Sequence, residues 1–178
     1  MTWFCTLPSP IGELTVTSDG EALTGLYLPQ CRYGPANTDG WKRDEAARPF
    51  DDVAKQLDAW FAGRLTEFHL NLRPAGTPFQ QEVWRCLCSI PYGATATYGE
   101  VAGLTGRPSA SRAVGLANAR NPIALVVPCH RVIGSGGRLT GYGGGLPLKQ
   151  ALIQFEAEVR MYGPTQFACR WPNLTAET

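Results

Sequence analysis

The chain has 178 residues, 44% hydrophobic and 17% charged, with a formal net charge of +1. That length allows one large domain or two small ones with a real core, and the composition is that of a soluble globular protein rather than a disordered one. No apolar run approaches the ~20 residues of a membrane span, and the opening MTWFCTLPSPIG lacks a basic region followed by an apolar stretch; no membrane segment or signal peptide is expected, and the expected location is the cytoplasm.

Taken in order, Trp3–Leu7, Glu13–Thr17 and Ala22–Leu28 are short and β-rich, with turns at Ser9-Pro10 and Asp19-Gly20. Residues 29–49 are rich in Gly, Pro and charge, aperiodic, and predict a loop. Over Phe50–Ala62 the spacing puts Phe50, Val53, Leu57, Trp60 and Phe61 on one helical face, with Gly63 as a stop. Glu67–Leu72 alternates as a strand. The segment from Arg73 to Pro78 is the best boundary, dividing the chain into units 1–75 and 76–178.

After it, Thr77 is a helix cap, Pro78 suits the first helical position and Gln80 completes a capping box. That helix turns Phe79, Val83, Trp84, Leu87 and Ile90 inward and stops before Pro91. A second box, Thr97 with Glu100, opens a short helix over Tyr98–Leu104. The turn Thr105–Pro108 leads to a helix of small residues over Ser109–Asn118. Helix, short glycine-containing turn, helix is a helix-turn-helix pattern, although small residues such as Ala110, Ala113, Gly115 and Ala117 serve close packing on another helix equally well. Ile123–Val127 predicts a buried strand, a glycine-rich segment without phosphate-loop spacing follows, and Pro147–Glu158 is the last helix, with Leu148, Leu152 and Phe155 inward.

The near-neutral total hides an asymmetry. Residues 1–75 carry seven Lys/Arg and ten Asp/Glu, whereas residues 76–178 carry nine and five. Between Glu100 and Glu156 there is no acidic residue, but there are Arg107, Arg112, Arg120, Arg131, Arg138 and Lys149. Such a run suits phosphates; it also fits an ordinary basic surface. The six cysteines are scattered without a C-x-x-C pair, which argues against a disulfide framework. A metal set of Cys5, Cys31, His69 and Cys86 lacks readable ligand spacing, and Cys86 and Cys88 read as small buried hydrophobes.

Chemistry concentrates at Pro128-Cys129-His130-Arg131. A thiol becomes a nucleophile by losing its proton, which nearby His, Arg or positive dipoles assist. Taken alone, the same pair fits a structural cysteine beside a surface histidine. The sequence P-C-H-R-V, preceded by N-P-I-A-L-V-V and followed by G-Y-G-G-G, resembles the O6-alkylguanine-DNA alkyltransferase family, bacterial type. T-Y-G-E-V-A, S-R-A-V-G and I-P-Y-G stand in the family's order over about residues 76–160, and S-P-I-G adds a less specific likeness in the N-terminal part.

The resemblance implies an α/β (α+β) fold: a small RNase H-like mixed-sheet domain, then a mostly helical, winged helix-turn-helix-like domain that binds DNA and accepts the alkyl group. It implies single-turnover transfer from O6-alkylguanine, and from O4-alkylthymine, in double-stranded DNA to Cys129, without metal, cofactor, membrane or obligate protein partner. His130 would act on the thiol through a bound water, Glu156 would orient the imidazole, and Asn121 would hold the active-site turn. Tyr98 would donate its hydroxyl to the base. Arg112, presented to the minor groove, would fill the gap left by the rotated nucleotide, with Ser109, Ala113, Gly115 and Thr97 also at the DNA. The backbone of Cys129, Val132 and Gly143 would hold the base edge, with Tyr142 as a pocket wall. Ala124 stands where some relatives carry a pocket-lining proline, and Gly143 where others have Ser. Rival readings are a non-enzymatic relative that binds alkylated DNA, disfavoured because it would lack Cys129, a Cys-His hydrolase, and a transcriptional regulator.

Overall fold

Residues 1–35 and 37–164 are described by the computed structural model; Cys169 and the end of the 76–178 unit lie outside them. Three short strands, β1 (Trp3–Leu7), β2 (Leu14–Ser18) and β3 (Leu23–Tyr27), form an antiparallel meander, Cys5 opposite Val16 and Val16 opposite Leu26. These three side chains lie on the buried face, as the two-residue period of a strand requires.

Within the expected loop 29–49 there is also a strand, β4 (Lys42–Arg43), which pairs parallel to β1 and completes the order β3-β2-β1-β4. Two exposed charged residues give no alternation to read. Backbone pairing places them, Lys42 N–H donating to Thr2 at 2.9 Å and Asp44 N–H to Phe4 at 3.1 Å, with the Lys42 ammonium over the Trp3 ring and Arg43 paired with Glu45. Conversely, Glu67–Leu72 forms no strand. Only Leu72 bridges to Leu23, while the Gln56 side-chain amide satisfies both backbone groups of His69, at 2.7 and 3.0 Å. Alternation permits a ladder, but a partner edge must be free along its length to form one.

Helix α1 (Phe50–Phe61) buries the five predicted residues, Phe50, Val53, Leu57, Trp60 and Phe61. Both capping boxes are present, Thr77 with Gln80 on α2 (Pro78–Cys88) and Thr97 with Glu100 on α3 (Tyr98–Leu104). Cys86 is half-buried and Cys88 exposed, because both fall off the Val83–Trp84–Leu87 face. Helix α4 (Ser111–Ala119) follows α3 across the turn, and Trp84 ties α2 to it by donating its indole N–H to the Ala117 carbonyl at 2.9 Å.

The apolar run Ile123–Val127 is buried but is a tight turn, not a strand: Leu125 has φ of 67°, and Val126 and Val127 N–H groups donate back to Ala124 and Ile123. A continuous apolar run looks the same for any buried segment. What fixes it is the edge of β3, where Leu26 N–H donates to Pro122 at 2.8 Å and Ala124 N–H to Leu26 at 3.0 Å. The chain then makes a single 3-10 turn, Cys129–Arg131, and β6 (Val132–Ile133) pairs parallel to β5 (Ala96–Thr97). Helix α5 extends beyond its predicted limits, over Leu146–Tyr162. One hydrophobic cluster runs from Cys5 through Trp60 and Trp84 to Val159. Among the described residues no helix is long and apolar enough to cross a membrane.

Trp84→Phe keeps a six-membered aromatic ring but removes the indole N–H and leaves the buried Ala117 carbonyl without its donor. We expect a loss of ~1–3 kcal/mol in urea unfolding; an unchanged midpoint and slope would mean that the tie between α2 and α4 contributes nothing.

Candidate active site

The turn at 129–131 places Cys129 and His130 inside the protein, 6% and 0% exposed. Asn121 holds the approach to it. Its amide donates to Val127 at 2.8 Å and its carbonyl oxygen accepts from Ile123 N–H at 3.0 Å. From α4, the buried Asn118 donates to the Cys129 carbonyl at 3.3 Å. The loop is thus fastened by two side-chain amides, of which only Asn121 was expected from the sequence. Asn118 sits in a run of small helical residues and carries no local signal for the role.

Glu156 reaches the same place from α5. His130 Nε2 lies 2.9 Å from its Oε1. Arg131 grips the same carboxylate from the other side, Nε to Oε2 at 2.8 Å and Nη2 to Oε1 at 2.9 Å, and donates a third bond to the Ile90 carbonyl at 2.6 Å. Burial raises the Glu156 carboxyl, but the charge and hydrogen bond of His130, with those of Arg131, outweigh it and hold the group at about 2. Glu156 is therefore a carboxylate and can only accept, so Nε2 carries the imidazole proton. In the neutral imidazole the lone pair is then on Nδ1, which is buried and without a hydrogen-bond partner among the described residues. Trp60 of α1 meets the imidazole edge-on, centroids 6.3 Å apart.

Burial pushes the Cys129 thiol up to about 11, against the opposing effects of the Asn121 hydrogen bond and the Lys149 charge. At neutral pH the sulfur is a thiol, and its reactivity depends on a base. Lys149, in α5, is wholly buried and donates to the Thr140 carbonyl at 2.8 Å. Desolvation lowers it to about 8, although the Cys129 sulfur opposes this. Arg131 and Lys149, both within the acid-free run, thus face inward, while Arg107 pairs with Glu82 at 2.5 Å. Arg112, Arg120 and Arg138 remain exposed, so the outward cationic footprint is narrower than the sequence suggests.

Two adjoining cavities divide the remaining candidates. A narrow one of about 20 Å³ is lined by Cys129, Asn121, Ala124, Tyr142 and Gly143, with Leu28 and Cys31 from the N-terminal part. A wider one of about 570 Å³ is lined by Thr97, Tyr98, Arg112, Gly115, Ser135 and Thr140. They share Ala119 and Gly141. The Tyr98 hydroxyl donates to the Thr140 carbonyl at 3.3 Å. Ser109 and Ala113 are exposed and line neither cavity, and the Val132 side chain belongs to the core. No group of three or more His, Cys, Asp and Glu among the described residues is placed to hold a metal ion, so Cys5, Cys31, His69 and Cys86 do not come together.

Because the Glu156 carboxyl falls from its ordinary 4.5 to about 2 on folding, its stabilisation is fully present above pH 4.5 and is lost as the pH falls through about 2. Glu156→Gln leaves Arg131 buried beside a neutral amide. At neutral pH it should lose ~3–5 kcal/mol in denaturant unfolding, and its acid limb should be flatter than that of the wild type. Equal stability at pH 7 with parallel acid limbs would contradict the cluster's role.

The chain is similar to known proteins along most of its length. Residues 4–74 match the 6-O-methylguanine DNA methyltransferase ribonuclease-like domain, and residues 78–158 match the DNA binding domain of the same family. A methylated-DNA–protein-cysteine methyltransferase of Mycobacterium bovis is 52% identical over 156 residues, covering 88% of this chain and 93% of its own. One from Methanosarcina acetivorans is 47% identical over 154 residues, covering 86% and 97%. The crystal structure of Mycobacterium tuberculosis OGT in complex with DNA superposes with a TM-score of 0.82 at 49% identity, covering 88% and 93%. With relatives this similar along nearly their whole length, the chain belongs to the 6-O-methylguanine DNA methyltransferase family.

Proposed function

We propose that the protein repairs DNA by direct reversal: Cys129 takes the alkyl group from an O6-alkylguanine in duplex DNA and keeps it. The observation that carries this reading is the placement of a buried thiol at a small cavity, next to a His130 that shares its turn and is paired with Glu156 of α5. The mycobacterial and archaeal relatives are methylated-DNA–protein-cysteine methyltransferases, and the M. tuberculosis protein binds DNA.

The chemistry follows from the charges. The thiol proton passes through a bound water to His130 Nδ1, and the imidazolium so formed is stabilised by Glu156. The thiolate attacks the alkyl carbon in line. The carbon–oxygen bond breaks and a carbon–sulfur bond forms. Negative charge develops on the departing guanine, which Tyr98 offsets by turning its hydroxyl proton from Thr140 to the ring nitrogen. A thioether does not hydrolyse, so each molecule acts once. The damaged base O4-alkylthymine presents the same kind of alkyl–oxygen bond and is a second substrate.

The base reaches Cys129 only by leaving the helix stack, which costs a few kcal/mol. Arg112, exposed on α4 at the mouth of the wider cavity, stands in for the extruded base from the minor-groove side and offsets part of that cost. Arg120 and Arg138 supply phosphate contacts. In this reading residues 76–178 bind DNA and accept the alkyl group, while residues 1–75 support the active-site turn. The non-enzymatic alternative is not favoured, because Cys129 is present.

Intact-mass analysis after mixing with a duplex holding one O6-methylguanine should give one methyl on Cys129, stoichiometric and without turnover. No adduct, or an adduct elsewhere, would refute the assignment. Arg112→Ala should slow duplex repair about 5–150-fold more than it slows reaction with free O6-methylguanine base, the equivalent of the ~1–3 kcal/mol of a lost stacking contact; equal losses on both substrates would count against the extrusion role.

A further inference from the structure

One wall of the narrow cavity comes from outside the Cys129 motif. Cys31, in the segment after β3, lines it together with Cys129 and Tyr142. Backbone bonds hold that segment in place: Cys31 N–H donates to Leu28 at 3.3 Å, and Arg32 N–H donates to Gly143 at 3.1 Å. A Cβ on residue 143 would lie 2.8 Å from the Cys31 Sγ. The sulfur therefore occupies the space that any side chain at 143 would need. Glycine at 143 and cysteine at 31 are one packing solution, in which a thiol supplies the wall that a residue-143 side chain would otherwise form.

Position gives this wall a consequence for the reaction. The narrow cavity adjoins the wider one through Ala119 and Gly141, so a base held in the wider cavity would direct its O-alkyl substituent into the narrow one. About 20 Å³ is room for one or two water-sized spheres, each needing ~10–15 Å³. A methyl group fits that space. A benzyl ring fits only if a wall gives way. Ala124, already small, offers little further room.

We propose that Cys31 sets the size limit of the alkyl group that Cys129 accepts, its Sγ against Gly143 forming the wall that larger substituents meet. The inference rests on alkyl transfer to Cys129. Cys31 takes no part in bond making; it acts by volume. A change of one heavy atom in an apolar pocket shifts discrimination by ~10–200-fold.

The test is single-turnover transfer from duplexes carrying O6-methylguanine or O6-benzylguanine to the wild type, Cys31→Ala, Cys31→Ser and Cys31→Leu. Cys31→Ala should raise the benzyl-to-methyl rate ratio at least about tenfold. Cys31→Leu should lower the ratio by a similar factor, and the near-isosteric Cys31→Ser should keep it. The ratio is internal to each variant, so partial misfolding lowers both rates and leaves it unmoved. Ratios that stay constant across the series would overturn the proposal, as would an alkyl adduct on Cys31 in the wild type. A wild type that transfers neither group defeats the alkyl-transfer reading and this inference with it; a wild type that transfers methyl while the ratio ignores residue 31 defeats the size limit alone.

Discussion

A single buried carboxylate organises the site. Glu156 is 1% exposed, and its charge survives there because His130 and Arg131, neighbours on one 3-10 turn, both bind it. Removing a carboxylate from water costs several kcal/mol, recovered only when its lone pairs are filled with good geometry. Here they are filled by three donors and by the Gly93 backbone N–H at 3.1 Å. The arrangement couples α5 to the Cys129 turn and to the segment before β5. It also decides which imidazole nitrogen carries the proton. Structure and chemistry thus draw on one interaction.

The rest of the fold keeps the turn from relaxing. Edge bonds from Leu26 pin residues 122–124, two asparagine amides fasten the loop on either side of Pro128, and Trp60 packs on the imidazole. The N-terminal sheet and α1 therefore contribute directly to the geometry of Cys129 and His130, although neither supplies a group that donates or accepts a proton there. Burial makes the thiol a poor acid at rest. A sulfur protonated until a base acts on it is guarded against stray oxidation and adventitious alkylation, which suits a protein that spends its nucleophile once.

Features with local causes were legible in the sequence. The boxes at Thr77–Gln80 and Thr97–Glu100 each need only four residues, and the inward face of α1 follows from a 3.6-residue period. Features with distant partners were not. The run Ile123–Val127 is shaped by β3, nearly a hundred residues away in the chain by a rough count of sequence separation. The stretch 67–72 alternates yet spends its backbone bonds on Gln56 and on Leu23. The site divides in the same way. Cys129 and His130 are adjacent and drew notice as a pair, but alone they also fit a structural cysteine beside a surface histidine; their roles, like that of Glu156, came through the family resemblance. Arg131 and Lys149 read as phosphate-facing cations, but their burial depends on partners that charge pattern does not reveal. Cys31, scattered among six cysteines, gave no sign of its contact with Gly143.

In the proposed mechanism Glu156 fixes the proton of His130 on Nε2 and leaves Nδ1 as the base for Cys129. Nitrogen-15 NMR of the ring-labelled protein reads this directly. The neutral imidazole should carry its proton on Nε2 in the wild type, and Glu156→Ala should free the ring to populate both tautomers. A neutral His130 protonated on Nδ1 in the wild type would contradict it.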